Sequence, residues 1–307
     1  MAKRILVAGC SNINFSVNTP YFPAPNEKII SHGKYAFAPG GSGANSAIAA
    51  AMLGSDVALC SRVGDDSYGD KLIQLFTQSG INTRYVKVDR LEQTGMEVVI
   101  AERSGVNRTI LYSGANSKIS DSDIENALEV CPDAILTHLD LRSEAVIAAA
   151  RSAAYDRIPL FVDAGTATPD FPLEKLENIT IFSPNEDETE VLTGIRPNSL
   201  ENCLRASIAL CNRVDIRFVV LKLGARGCYV YDGKYCDLIS PFEVEVADTT
   251  AAGDVFTAAL ASEFLRCNDI TPAAVFANAA AALSVSKKGG VASFPTLEDV
   301  LGAMGLD

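Results

Sequence analysis

Asp254 ends a run of small and hydroxylated residues, Asp248-Thr249-Thr250-Ala251-Ala252-Gly253-Asp254, between an apolar stretch at Glu243–Val246 and an Ala-rich segment at Ala252–Leu265. A helix opening on such residues leaves the N–H groups of Ala251, Ala252 and Gly253 without intrahelical partners, free to converge on an anion. The helix dipole adds a favourable field, and a phosphate fits that description. A carboxylate in the first turn also has an ordinary explanation, because acidic residues stabilise helix N-termini. What lifts Asp254 above a capping role is its pairing with the cradle, where it is placed to take a proton from an attacking hydroxyl.

A second glycine-rich segment, Pro39-Gly40-Gly41-Ser42-Gly43-Ala44-Asn45, opens a helix expected at Asn45–Leu53. Its glycines permit close backbone approach to a ligand, and Asn45 offers donors and an acceptor to hydroxyls; a tight strand-to-helix turn is the plainer alternative. The segment is a poor dinucleotide fingerprint, since Ser46 stands where the third glycine belongs. There is no GxxxxGK followed by Ser or Thr, which disfavours a P-loop kinase, and no GxSxG elbow. The two histidines are His32 and His138; the latter ends a predicted strand, where it serves structure as readily as chemistry.

The elements that must position these residues fall into two regions. From about residue 120, strands at Ala134–Thr137, Leu160–Val162, Ile179–Phe182 and Phe218–Lys222 alternate with helices at Arg142–Ala154, Glu186–Thr193 and Leu200–Cys211. This predicts βαβ units and a doubly wound, mainly parallel α/β sheet covered by helices on both faces. The N-terminal third differs: Ile29–Ala38, Thr94–Ala101 and Arg108–Tyr112 read as strands without nearby crossover helices, and predict a small separate sheet suited to a lid. Ala252–Leu265 and Pro272–Lys287 read as two helices, the second stopped by Gly289-Gly290.

In 307 residues with 48% hydrophobic content a substantial core is assured. Asp and Glu number 38 against 26 Lys and Arg, a formal charge of −12, which argues against nucleic acid or an anionic membrane as partner. An anionic substrate would need a divalent cation or helix N–H groups. The eight cysteines are scattered without a CxxC pair and read as reduced thiols. Val7-Ala8-Gly9-Cys10 looks like a lipoprotein cleavage box, but Ile5–Ala8 is too short for a signal segment and reads as a buried first strand. With no long apolar run, a cytoplasmic location is expected.

Taken together, Gly40 to Asn45 with Arg62-Val63-Gly64-Asp65-Asp66 and Gly69, and Asp248 to Asp254, closely resemble the two signatures of the ribokinase-like (PfkB) carbohydrate kinase family. Phe22 to Glu27, Ser183 to Glu186, Lys222 to Gly227 and Lys287-Lys288-Gly289 fall in the family's order, so the likeness covers essentially the whole chain. The resemblance implies a single domain over 1–307 with a β lid formed from about 12–39 and 90–115. It implies ATP-dependent transfer of the γ-phosphoryl group to a primary hydroxyl, of D-ribose first, with another sugar or a nucleoside as alternatives within the family. Asp254 would be the base, and Ala251, Ala252 and Gly253 the anion hole. Asn12, Asn14, Gly40, Gly41, Ser42, Asn45 and Asp140 would hold the sugar, and Asn185, Glu188, Lys222, Gly224, Gly227 and Asn278 the nucleotide. Glu188 would act on Mg²⁺ indirectly; Asp248, Thr250, Ser284, Gly289 and Ser293 would surround K⁺. A homodimer through the lid is also implied. Three positions depart from the family's habit: Asn14 stands for an aspartate, Ser42 for a lysine and Asp140 for a glutamate. A non-catalytic sugar sensor on the same fold and a nicotinamide-dependent oxidoreductase are the readings from other classes.

Overall fold

The computed structural model describes residues 2–104 and 106–306. Its first part runs β1 (Arg4–Ala8), β2 (Asn12–Thr19), β3 (Ala36–Gly40), α1 (Ser42–Met52), β4 (Asp56–Gly64), α2 (Ser67–Gln78), β5 (Val86–Asp89), β6 (Gly95–Glu102) and β7 (Asn107–Tyr112). Then follow α3 (Asp121–Ala127), β8 (Ala134–His138), α4 (Ser143–Asp156), β9 (Leu160–Asp163), β10 (Ile179–Ser183), α5 (Glu186–Thr193), α6 (Leu200–Cys211) and β11 (Ile216–Lys222). The chain closes with β12 (Cys228–Tyr231), β13 (Cys236–Ile239), α7 (Ala252–Cys267), α8 (Ile270–Val285) and α9 (Leu297–Ala303).

Nine strands form one sheet in the order β13-β12-β11-β10-β9-β8-β1-β4-β5, all running the same way except β12, which pairs antiparallel with both β11 and β13. The uniform apolar runs Ile5–Ala8, Ala134–Leu136 and Leu160–Val162 are buried on both faces, as parallel strands sandwiched between helices must be. One apolar core joins that sheet to α1, α2, α7, α8 and α9; the other joins it to α3, α4, α5 and α6. The alanines of α1 and α7, among them Ala47, Ala50, Ala258 and Ala261, are fully buried and let the two helices lie close together.

The chain leaves β1 toward β4 on one side and returns to β8 on the other, so strand order reverses at β1. A crevice opens beyond the carboxyl ends of the strands at such a reversal. Asp140, Asp163, Asn185 and Lys222 end or follow the successive strands β8, β9, β10 and β11 at that edge. The remaining four strands make a second sheet in the order β3-β2-β6-β7.

Three sequence expectations need correction. The strand expected at Ile29–Ala38 begins only at Ala36; upstream, His32 N–H reaches Asn18 O at 3.1 Å and no ladder forms, because that stretch strays from β2 at the sheet edge. Glu243–Val246 alternates like a strand yet pairs with nothing, and Glu243, Val244 and Val246 instead line a cavity. The helix expected to stop at Gly289-Gly290 ends at Val285, with Ser286 as its cap, and Gly289 instead precedes the short turn Gly290–Ser293.

Candidate active site

Two cavities meet the carboxyl edge of the large sheet. The larger, about 920 Å³, is walled by Asn185, Lys222, Gly224 and Gly227 on the sheet side and by Ala252, Gly253 and Asn278 on the helix side. The smaller, about 110 Å³, lies under the four-stranded sheet and is lined by Cys10, Asn12, Asn116 and Asp140 among others. Asp254 lines neither, but groups next to it line both. Its neighbour Gly253 lines the larger cavity, while Asp140, whose charge it feels, lines the smaller one.

Asp254 lies in the first turn of α7, and its Oδ2 accepts a 2.7 Å hydrogen bond from Asn45 Nδ2 in α1. Burial, reinforced by the negative charge of Asp163, pushes its carboxyl up to about 8, while the Asn45 bond and the Lys222 ammonium pull the other way. A carboxylate in that range is a usable proton acceptor near neutrality, whereas one at the ordinary value would hold a proton too weakly.

The turn before α7 departs from the sequence expectation in one respect. Ala252 N–H is not free, because it donates to Thr249 O at 3.3 Å. Among the described residues, no acceptor reaches the N–H groups of Ala251, Gly253 or Asp254, so the cradle is built from those three. Ala251 sits at φ 61° and ψ 11°, a left-handed conformation that costs an alanine roughly 1 kcal/mol and that only a fixed loop sustains.

Beneath the cradle, Lys222 Nζ lies 2.6 Å from Asp163 Oδ2, and Thr257 Oγ1 donates to the same carboxylate oxygen. Burial alone would lower the Lys222 ammonium, but Asp163 and Glu188 outweigh it and hold it charged. Burial likewise opposes the charge on Asp163, yet Lys222, the His138 ring and its hydrogen bonds keep it below the ordinary carboxylate range. The pair fixes a cation where the larger cavity touches Gly253, whose Cα would project a Cβ to 3.4 Å from Lys222 Nζ.

Asn185 and Glu188 cap α5 reciprocally: Glu188 N–H donates to Asn185 Oδ1 at 2.9 Å, and Glu188 Oε2 accepts from Asn185 N–H at 2.7 Å. Asn185 Nδ2 also donates to Glu188 Oε1 at 2.7 Å, so both carboxyl oxygens are engaged from one side. Burial pushes the Glu188 carboxyl up to about 7, with Lys222 lowering it and Asp163 raising it. Gly227 holds φ 85°, and a Cβ there would drive into the carbonyl of Ile239; only glycine fits. Asn278 faces the larger cavity, but its amide donates to Ser240 O at 3.0 Å and Ile239 O at 3.3 Å, tying α8 to the end of β13.

On the opposite side, Gly41 at φ 93° caps α1, and a Cβ there would come 2.6 Å from Cys10 O. This lets the start of α1 press against the end of β1. Ser42 Oγ donates to Asp140 Oδ2, and Asp140 Oδ1 is buried without a partner. Asn12 Oδ1 accepts from Asn116 Nδ2 at 2.7 Å, and Asn14, paired with Ala38 in the ladder and with its amide lying against Gly40, keeps a buried Oδ1 with no partner.

Asp248 and Gly289 are brought together, Gly289 N–H reaching Asp248 Oδ2 at 3.4 Å and Thr250 N–H reaching Oδ1 at 3.0 Å. Burial works against the Asp248 charge, but those hydrogen bonds prevail and hold it below the usual range. Ser284 and Ser293 spend their hydroxyls on Ala281 O and Gly290 O.

The profile of pfkB family carbohydrate kinases matches residues 2–297. The chain belongs to that family. It is 34% identical to a ribokinase of Haemophilus influenzae over 98% of both chains, and 31% identical to a ribokinase of Bacillus subtilis over 97% of this chain and 98% of that one. The solved structure of Arabidopsis thaliana ribokinase complexed with ribose and ATP superposes with a TM-score of 0.90 at 29% identity, covering 100% of each chain. The ribokinase-like α/β fold with its second small sheet is therefore the fold of this sugar kinase.

Sequence motifs alone missed Asp163 of the kinase, although a carboxylate ending the strand Leu160–Asp163 at the carboxyl edge of a parallel sheet is a readable signal. They also missed Asn116, which orients Asn12 from a turn carrying no motif.

Proposed function

We propose that this kinase transfers the γ-phosphoryl group of ATP to the primary hydroxyl of D-ribose, with Asp254 as general base. The observation that carries the reading is the position of Asp254, next to groups that line a large and a small cavity, beside unpartnered N–H groups of Ala251, Gly253 and its own. ATP occupies the larger cavity, with its phosphates directed at the start of α7 and at Lys222. The sugar occupies the smaller one, which Asn12 and Asp140 line, with Asn14, Gly41, Ser42 and Asn45 completing its binding groups. Asp254 accepts the hydroxyl proton as the oxygen attacks; the N–H groups and the α7 dipole hold the charge of the migrating phosphoryl group.

Glu188 fits a Mg²⁺ ion carried with ATP: a buried carboxyl driven up to about 7 lacks a full counter-charge, and Asn185 engages both its oxygens, leaving room for contact through water. Such an ion would neutralise phosphate charge. Asp248, ionised and tied to Thr250 and Gly289, fits one edge of a K⁺ site, with Thr250, Ser284, Gly289 and Ser293 as the rest of its surroundings.

The outer face of the small sheet supports its role as a lid and as a dimer contact. Phe37, Ile110 and Tyr112 there are 48%, 60% and 47% exposed, around a cluster in which Phe15 and Phe37 stack at 5.0 Å. The eight free cysteines favour a cytoplasmic location. A nucleoside is the second reading for the acceptor, favoured by Ser42 and Asp140, whose short side chains pair with each other and leave room nearby.

The test is ADP release with D-ribose, D-fructose, adenosine, cytidine and pseudouridine, each with and without K⁺. Ribose-dependent release stimulated by K⁺ is expected. Equal release without any acceptor would overturn the reading.

A further inference from the structure

The inner face of the four-stranded sheet carries a carboxylate outside every motif of the family. β2 and β6 run parallel with Asn12 opposite Gly95 and Asn14 opposite Glu97; β6 and β7 run antiparallel with Glu97 opposite Leu111. Side chains alternate across strands, so Asn12, Asn14, Glu97 and Leu111 share one face. That face looks into the smaller cavity. Asn12 and Leu111 line the cavity, and a Cβ on Gly95 would meet the side chains of Asn12 and Asn116, the second also a lining residue. Phe15, Val98 and Ile110 form the next row along the ladders, on the opposite face.

Asn14 and Glu97 act as a unit. Asn14 and Glu97 are neighbours across the ladder, and the Asn14 amide favours the ionised form of the Glu97 carboxyl, while the Asn14 Oδ1 is buried with no partner. Burial pushes the Glu97 carboxyl up, and among the described residues no Lys, Arg or His pairs with it. Asp140 Oδ1, on the cavity's other wall, is likewise buried without a partner. Two oxygen acceptors without donors, Asn14 Oδ1 on the sheet and Asp140 Oδ1 on the cavity wall, therefore flank this small space. Buried acceptors of this kind are unfavourable until a donor arrives. The cation nearest the cavity, Arg142, is exposed at its rim and lies 3.5 Å from Glu144. An anionic ligand would meet carboxylates here, whereas hydroxyls would supply the missing donors.

We propose that Glu97, together with Asn14, is a substrate-binding group that takes two adjacent hydroxyls of a neutral sugar ring, the carboxylate having moved from β2 to the neighbouring position on β6. The inference rests on the sugar-kinase reading and deepens it. It selects acceptors with an intact vicinal diol over deoxy analogues and over sugar acids. A site built to bond a hydroxyl discriminates strongly against its absence, because the protein group is then left buried and unpaired.

The experiment compares wild type, Glu97→Gln and Glu97→Ala in steady-state ADP release with D-ribose against 2-deoxy-D-ribose, and with adenosine against 2′-deoxyadenosine. Glu97→Ala is expected to raise KM for the hydroxylated substrate about 10- to 100-fold while kcat stays within about threefold. It should also narrow the preference over the deoxy analogue in kcat/KM at least about tenfold, with Glu97→Gln between the two because its amide keeps an acceptor oxygen. Melting temperatures establish that both variants fold. An active wild type whose KM and deoxy preference survive both substitutions overturns this inference and leaves the kinase reading standing. A Glu97→Ala enzyme that loses only kcat and melting temperature overturns it in the same way. A folded wild type that turns over neither ribose nor adenosine overturns the acceptor assignment and the inference with it.

Discussion

Asn45 Nδ2 and Asp254 Oδ2 lie 2.7 Å apart, joining the start of α1 to the start of α7 across 209 residues of sequence. This bond tempers how Asp254 titrates. Asn45 stabilises the ionised form against burial and the Asp163 charge, which together push the carboxyl up to about 8.

The first prediction follows from that bond. A base must be deprotonated to act, so kcat/KM rises with pH through a midpoint near the Asp254 value, about 8. Asn45→Ala removes a stabilising donor and should move the midpoint up by about one pH unit, with roughly tenfold lower activity at neutral pH. Rate profiles from pH 6 to 10 check this. An unmoved midpoint would detach Asn45 from proton transfer.

Stability should respond in the opposite sense to activity. The Asp254 carboxyl is raised in the folded chain above its unfolded value, so its contribution is full below the unfolded value of about 4. That contribution is lost as pH rises, and the loss is complete once pH passes the folded value of about 8. Asp254→Asn, which cannot ionise, should therefore melt higher than wild type, by on the order of 2–5 kcal/mol above pH 8, the gain shrinking toward pH 4. Scanning calorimetry across that range reads the trend, and a variant less stable at pH 9 than at pH 5 relative to wild type would contradict it.

Much of this site was legible before the fold was known, for reasons tied to local chain chemistry. Asp254 and its cradle announce themselves because small residues and a carboxylate at a helix start are a contiguous signal. Asp163 does not, because its meaning depends on Lys222, 59 residues away, and on strand order that brings β9 beside β10 and β11. Glu97 was equally silent. In Gly95–Glu102 it is one charge in a mostly apolar strand, and only the register with Asn14 reveals which way it faces. Glu243–Val246 misled in the other direction: its alternation has the period of a strand, but its valines meet a cavity rather than a sheet.

Asp163 and Lys222 provide a double-variant test. Removing one partner of a buried pair strands the other charge, so Asp163→Asn should cost about 3–5 kcal/mol in denaturant unfolding. Asp163→Asn combined with Lys222→Met should recover part of that loss, since neither charge is then left alone. Strictly additive losses would mean that the 2.6 Å pair is not coupled in solution.

Gly227 tests the larger cavity. Glycine alone tolerates φ 85° with the Ile239 carbonyl crowding its Cβ position, so Gly227→Ala should displace the turn that lines this cavity. The expected result is a destabilisation of about 1–3 kcal/mol and at least about tenfold weaker ATP binding by calorimetry, with sugar binding less affected. Unchanged ATP affinity would move the nucleotide elsewhere.

The central claim is proton transfer to Asp254 beside an amide cradle, and turnover of Asp254→Asn tests it most directly. With ATP and D-ribose both saturating, the account predicts a kcat at least about 100-fold below wild type while calorimetric ATP affinity stays within about threefold. A folded Asp254→Asn enzyme releasing ADP at near wild-type rate would contradict it.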